Sequence, residues 1–300
     1  MSQQRPLVWF LTITVLLSWP LFLLPLAFGE IGSTSYLTAA SVGWPIAMFA
    51  PGVAALITTR FIARESLSSL NLNRLGPKRF YLWAWFLPPL LAALALPVTI
   101  LLGLGQFDTS FALIAEAIPP EADGLPIPLG LIVALQIIAA LTIAPLINVI
   151  FAMGEELGWR GYLLPQLMPL GKWRAILWSS GIWGIWHAPA ILQGHNYPET
   201  PVLGVFLMIG FCLLAGIVLS WLYLETKSPW APALAHGSLN ASAGLPLMFL
   251  QPGLNITWGG TLASVAGWIG LALFVAWLIG SGRLAWSDES ESAAVAQSSN

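Results

Sequence analysis

Charge is scarce in this 300-residue chain: Asp, Glu, Lys and Arg make up 8% of it, against a hydrophobic share of 57% and a mean hydropathy of +0.81. That balance excludes an ordinary water-soluble domain. Cysteine is nearly missing as well, and the single Cys212 rules out intramolecular disulfides and any thiolate metal cluster. It reads as a small packing residue. No internal repeat of fixed period is visible, no separate soluble domain stands out, and no nucleic-acid partner is expected.

What the chain does have is apolar length. About 20 residues of helix cross a hydrocarbon core roughly 30 Å thick, and runs of that order recur near 7–28, 37–59, 80–104, 128–153, 174–193, 201–224, 230–250 and 258–281. They are apolar on every side rather than alternating, which favours helices over barrel strands. The expected fold is therefore all-α: a polytopic transmembrane helical bundle of about eight spans, one domain over 1–286, with a motif-bearing core at about 128–250. Pro45, Pro51, Pro88, Pro89, Pro97 and Pro145 fall inside spans, where neighbouring helices re-satisfy freed backbone groups, so kinks rather than ends are expected. The first run is long for a signal peptide and holds Trp19, Pro20 and Pro25, so it reads as a span. A short helix over 111–118 is expected at the outer interface. The stretch 287–300 is too polar to bury a core and reads as a disordered cytoplasmic tail.

Lys and Arg in short loops mark the cytoplasmic side. With eight spans all eleven fall on one side: Arg5, then Arg60, Arg64, Arg74, Lys78 and Arg79, then Arg160, Lys172 and Arg174, then Lys227, then Arg283. The opposite loops carry Glu30, Asp108, Glu116, Glu121, Asp123 and Glu199. Both termini are thus expected in the cytoplasm.

Against this background the adjacent Glu155 and Glu156 stand out, since ionisable side chains within spans are costly and by default functional. Three short patterns collect the remaining polar groups. Glu156 and Arg160 are four apart, so they share a helix face and pair in the favourable order, while Glu155 points about a quarter-turn away. Trp183 and His187 repeat the same spacing in the fifth span, and His236 and Asn240 repeat it in the seventh. His195 falls in an outer loop as an ordinary solvated residue. A carboxylate beside an imidazole can deprotonate water, while a second imidazole and an amide donate to a developing oxyanion. That is a kit for peptide hydrolysis without a Ser or Cys nucleophile; Ser179, Ser180 and Ser238 read as packing residues. A divalent metal such as Zn is the competing account, with Glu155, His187 and His236 as candidate ligands. No His-Glu-x-x-His helix supports it.

Glu155-Glu156-Leu-Gly-Trp-Arg160, Trp183-Gly-Ile-Trp-His187 and His236-Gly-Ser-Leu-Asn240, in this order on successive apolar helices, resemble the CPBP family of intramembrane proteases. That family takes in type II CAAX prenyl proteases and the bacteriocin-processing and immunity-associated (Abi-like) proteins. The resemblance covers about 90 residues, 154–240; Trp183 stands where Phe is usual, a departure expected not to touch the catalytic set. It implies that Glu155 is the general base, that His187 helps hold the water, and that His236 and Asn240 form the oxyanion hole. Glu156 and Arg160 would brace the first motif, with Glu156 sharing the acid–base work. The implied enzyme is a CPBP-type endopeptidase, glutamic-type or a metalloprotease, acting on a membrane-associated peptide or lipidated protein. It sits among membrane lipid, in a bacterial inner membrane, with its site opening to the cytoplasm. Two readings stay open beside it: a non-proteolytic immunity or scaffold protein using the same polar cavity, and a proton-coupled transporter. His187 fits awkwardly, lying about 20 Å along a helix from Arg174; a fifth helix that begins beyond the headgroups is the favoured explanation, with Trp178 at the interface.

Overall fold

The computed structural model describes residues 4–118 and 127–285. Among them the fold is all-α, with one isolated antiparallel bridge, Phe107 to Leu250, and no strand. The tail expected at 287–300 lies outside the described residues.

The principal helices are α1 (Gln4–Leu23), α2 (Thr34–Ala47), α3 (Ala50–Ile57), α4 (Arg79–Leu101) and α5 (Leu129–Leu141). They are followed by α6 (Ile143–Glu156), α7 (Lys172–Trp186), α8 (Pro201–Thr226), α9 (Trp230–Ser242) and α10 (Val265–Gly280). Each of the eight apolar runs contains helix, but the helices differ in reach. Arg5–Ala27, Thr34–Ile62, Arg79–Leu101 and Pro201–Thr226 are long and apolar enough to cross a membrane, and α5 with Ile143–Leu170 makes a fifth across a 49° bend. The remaining three are shorter, at 15, 13 and 16 residues for α7, α9 and α10. Helix α7 breaks at His187 and a short helix, Ala188–Ile191, follows with Pro189 in its first turn; α9 is likewise followed by a 3-10 turn, Leu245–Phe249, with Pro246 in its first turn.

Prolines sort into two kinds. Pro45, Pro88, Pro89 and Pro97 remain inside α2 and α4. Pro51 and Pro145 instead stand in the first turns of α3 and α6, just past breaks in the helix: Pro51 lies within the apolar stretch Thr34–Ile62 and Pro145 beside the 49° bend, so neither ends its span, as expected. A first-turn amide has no intrahelical acceptor, and its loss there costs little.

Loop contacts sort the chain into two ends. At one end Ser228 donates to the Arg74 carbonyl at 2.6 Å, Trp230 Nε1 to the Leu72 carbonyl at 2.9 Å and Trp173 Nε1 to the Ala285 carbonyl at 3.1 Å. The loops bearing Arg64 to Arg79, Lys172 to Arg174, Lys227 and Arg283 therefore lie together. At the other end Asp108 and Gln251 bond through their backbones to Phe249 and Gln106, and Glu199 takes bonds from Ile256 and Thr257. The segment 66–78 closes the basic end, with Leu70 buried beneath it.

The shortest helix of the three, α9, is the central post, packed against α4, α5, α6 and α8. Two glycines set the crossings that matter. A Cβ on Gly237 would come within 2.9 Å of the Pro145 carbonyl, so α9 lies against the backbone of α6. A Cβ on Gly154 would come within 2.7 Å of the Met48 carbonyl, which brings the α2–α3 break against the glutamate pair. Gly184 meets Ile209 of α8 in the same way. These glycines let helices of the chain approach one another closely.

Candidate active site

The glutamate pair sits inside the bundle. Helical winding does not stop at Glu156; it widens into a π-helix over Leu157–Leu163, and Leu157 through Leu164 are all buried. Single-turn π segments recur at functional sites because they re-aim side chains. Here the wider turn delivers Arg160 back toward Glu156, Nη1 to Oε1 at 2.9 Å, with both side chains fully buried. The pair is thus not at the end of the fourth span, where counting along the sequence puts it.

Glu155 and His187 lie equally far from the hairpin that joins Leu170 to Lys172, about 22 Å at 1.5 Å per residue, so the two meet at one level of the bundle.

Glu156 holds a second partner, the Nδ1 of His236, on the same Oε1 at 2.9 Å. A carboxylate accepts, so Nδ1 carries the proton and Nε2 is left for the cavity. His187 is fixed by its own helix: its Nδ1 donates to the Trp183 carbonyl at 2.8 Å. A carbonyl accepts only, which again leaves Nε2 free to meet a water.

Trp183 ties these parts together. Its Nε1 donates to Glu155 Oε2 at 2.6 Å, the Arg160 guanidinium lies over its ring at 4.5 Å, and His187 and His236 meet it edge-on at 5.5 and 5.3 Å. The expectation that this aromatic position leaves the catalytic set untouched is overturned: phenylalanine has no donor to offer Glu155. The i, i+4 spacing puts Trp183 on one face with His187 but carries no sign of the bond to Glu155, which joins two helices. Trp186, on the other side of His187 at 4.9 Å, anchors α7 to α1 through Ser18 at 2.7 Å.

A cavity of about 560 Å³ runs up from these groups. Glu155, Trp183, His187, His236 and Asn240 line it, together with Leu37, Ser41, Trp44 and Pro45 of α2 and Met48 just after it. Arg160 and Glu156 do not reach it; they stand behind His236 and Trp183. Asn240 is exposed within the cavity one turn above His236. Cys212 is buried in the wall against Gly184.

His195 is exposed in its loop, as expected, and it also lines the cavity beside Asn196, where its ring meets Trp44 at 5.1 Å. No lining residue comes from 60–79, 160–174 or 226–230. The mouth is accordingly at the end opposite the basic loops.

Among the described residues no group of three His, Cys, Asp or Glu side chains comes together as a metal site. Glu155, His187 and His236 each spend one polar atom on Trp183 or Glu156, and the metalloprotease reading gains no support from the arrangement.

No curated protein matches the chain. A family of membrane proteases does, through its family model, described as type II CAAX prenyl endopeptidase Rce1-like. The match runs over residues 131–242, from α5 to the end of α9, and takes in every polar group gathered above. Apolar helices and a protease family together make this an integral membrane protein with a peptide or protein substrate. The chain carries, over residues 131–242, a domain of the Rce1-like type II CAAX prenyl endopeptidase family, in agreement with the CPBP resemblance of its three motifs.

Proposed function

We propose that the chain is an intramembrane endopeptidase that hydrolyses a peptide bond in a membrane-associated or lipidated substrate with a water activated by Glu155. The observation that carries this reading is convergence: Glu155, His187, His236 and Asn240, from three helices, line one cavity.

The roles follow from which atoms remain free. Glu155 has one oxygen held by Trp183 and the other available to take a proton from water. His187, with Nδ1–H committed to the Trp183 carbonyl, accepts from the same water through Nε2. The water oxygen attacks the scissile carbonyl, whose electron pair moves onto oxygen, and Asn240 and His236 donate to that oxyanion. Donation from His236 Nε2 requires the imidazolium form. In that form two carboxylates face one guanidinium and one imidazolium, so the buried charges cancel, the arrangement that low-dielectric burial favours. The proton taken by Glu155 then passes to the leaving amine. Glu156 and Arg160 touch no reacting atom; they fix the ring of His236. In this reading the enzyme works in a plasma membrane of bacterial type.

The test is Glu155→Gln, which keeps the acceptor for Trp183 and removes the base. Purified variant and wild type are compared on membrane-anchored peptides by mass spectrometry, with thermal unfolding as the folding control. Cleavage should fall about 10²- to 10⁴-fold with unfolding unchanged; undiminished cleavage would sink the mechanism.

A further inference from the structure

His187 stands at a break. Helix α7 ends at Trp186, the chain turns at His187, and the short helix Ala188–Ile191 carries on with Pro189 in its first turn. Pro189 brings no N–H, so one rung of the helical ladder is missing across the break. Breaks at proline are where helices bend sharply. Two limbs joined this way can tilt against each other, and the imidazole between them tilts too unless something outside the helix holds both.

Helix α1 holds both limbs. Before the break, Trp186 Nε1 donates to the Ser18 hydroxyl at 2.7 Å, and Phe22 packs edge-on against the same indole at 4.8 Å. After it, Gln193 Nε2 donates to the Phe22 carbonyl at 2.9 Å and to the Pro189 carbonyl at 2.7 Å. Ser18 and Phe22 are four apart, so one face of α1 presents both anchors a turn apart. The Phe22 carbonyl is open to side-chain donors because it lies in the last turn of α1, whose carbonyls lack an amide of their own helix. Trp44 Nε1 of α2 donates to it as well, at 3.1 Å, and the Tyr36 hydroxyl donates to Gln193 Oε1 at 3.0 Å. The buried Gln193 amide thus uses both its N–H groups and its oxygen, on partners from α1, α2 and the short helix.

We infer that the last turn of α1 splints this break, and that Ser18 and Gln193 are positioning residues that hold His187 in register with Glu155. The inference rests on the protease reading for what His187 does there, and on these bonds for how it is held. Neither Ser18 nor Gln193 lines the cavity, so both act through other groups. Trp186 passes the constraint on, with its ring edge-on to that of His187 at 4.9 Å. Helix α1 lies outside the stretch matched by the protease family, so the matched helices do not contain all that fixes their own histidine.

Full-length protein isotope-labelled only on histidine reads the ring directly by NMR, because the chain has three histidines and single substitutions assign them. In Ser18→Ala and in Gln193→Leu the His187 imidazole signal should shift or split while that of His236 stays in place. On membrane-anchored peptides kcat should fall about ten- to a hundredfold, the loss expected when a reacting group is misplaced by about 1 Å, with KM within about twofold of wild type. Thr14→Val is the control: it removes a buried hydroxyl one turn away on α1 that bonds within its own helix, to the Phe10 carbonyl, and should change neither reading. Ser18→Ala deletes a single acceptor, so the result stays readable should Gln193→Leu unfold. An unmoved His187 signal overturns the inference. So does a joint shift of His187 and His236, which is general loosening, or an unchanged kcat beside a shifted signal. If the signals behave as expected but wild-type protein does not cleave, the protease reading has failed and the splint stands.

Discussion

The two walls of the cavity differ in kind. The wall formed by α6, α7 and α9 carries the whole acid–base set and lies inside the stretch matched by the protease family, whereas the α2 wall is apolar apart from Ser41 and lies outside it. Chemistry and shape thus come from separate parts of the chain. The division teaches where to expect each kind of failure: on one wall substitutions should stop the reaction or unfold the bundle, and on the other they should change which substrates fit.

The sharpest way to test the chemical wall is to unbalance it. Arg160→Ala leaves Glu156 and Glu155 buried with one cation fewer, and breaking a buried pair in this manner costs about 3–5 kcal/mol. The variant should unfold at much lower denaturant or temperature than wild type, and the Glu156→Gln/Arg160→Met double variant should recover most of that loss. Equal stability of the single variant and wild type would mean that the pair is solvated in the membrane.

Asn240→Ala should be next in size. Removing one oxyanion donor lowers kcat by about 10²- to 10³-fold, and because Asn240 stands exposed in the cavity the fold should be untouched. A rise in KM with kcat preserved would assign it to substrate binding instead. Trp183→Phe follows. It keeps the ring that packs beneath Arg160 but deletes the bond to Glu155, a charge-assisted contact of about 1.5–3 kcal/mol. The expected loss in kcat is about ten- to a hundredfold.

These effects also separate what the sequence made legible from what it did not. The helical class followed from apolar run length, and the pairing of Glu156 with Arg160 from i, i+4 spacing alone, because both depend only on neighbours along one helix. The bond from Trp183 to Glu155 spans two helices, and no periodicity encodes it. The place of the glutamates along their helix was misread because an apolar run ends where charge begins, whereas this helix continues through a charged, buried π turn. The α2 wall left no trace: Leu37, Ser41 and Trp44 differ in no visible way from residues that face lipid. Three helices of 13–16 residues looked like full spans because the loops after them are also apolar, and hydropathy does not distinguish helix from buried loop.

The smallest effect is also the one that tests the division itself. Ser41 is exposed on α2 and faces the cavity across from Asn240. Ser41→Phe adds bulk to the shape wall without touching a charged group. One methylene of misfit in an apolar pocket shifts discrimination by about 10- to 200-fold, and an open mouth should relax part of that. Substrates with large residues at the cleavage site should show KM raised about tenfold, substrates with small residues should be cut as before, and kcat for the latter should stay within about twofold. Paired kinetics on one large and one small peptide read both quantities at once. If kcat falls equally for the two peptides, α2 shapes the reacting geometry as well as the fit, and the wall outside the matched stretch belongs to the catalytic machinery after all.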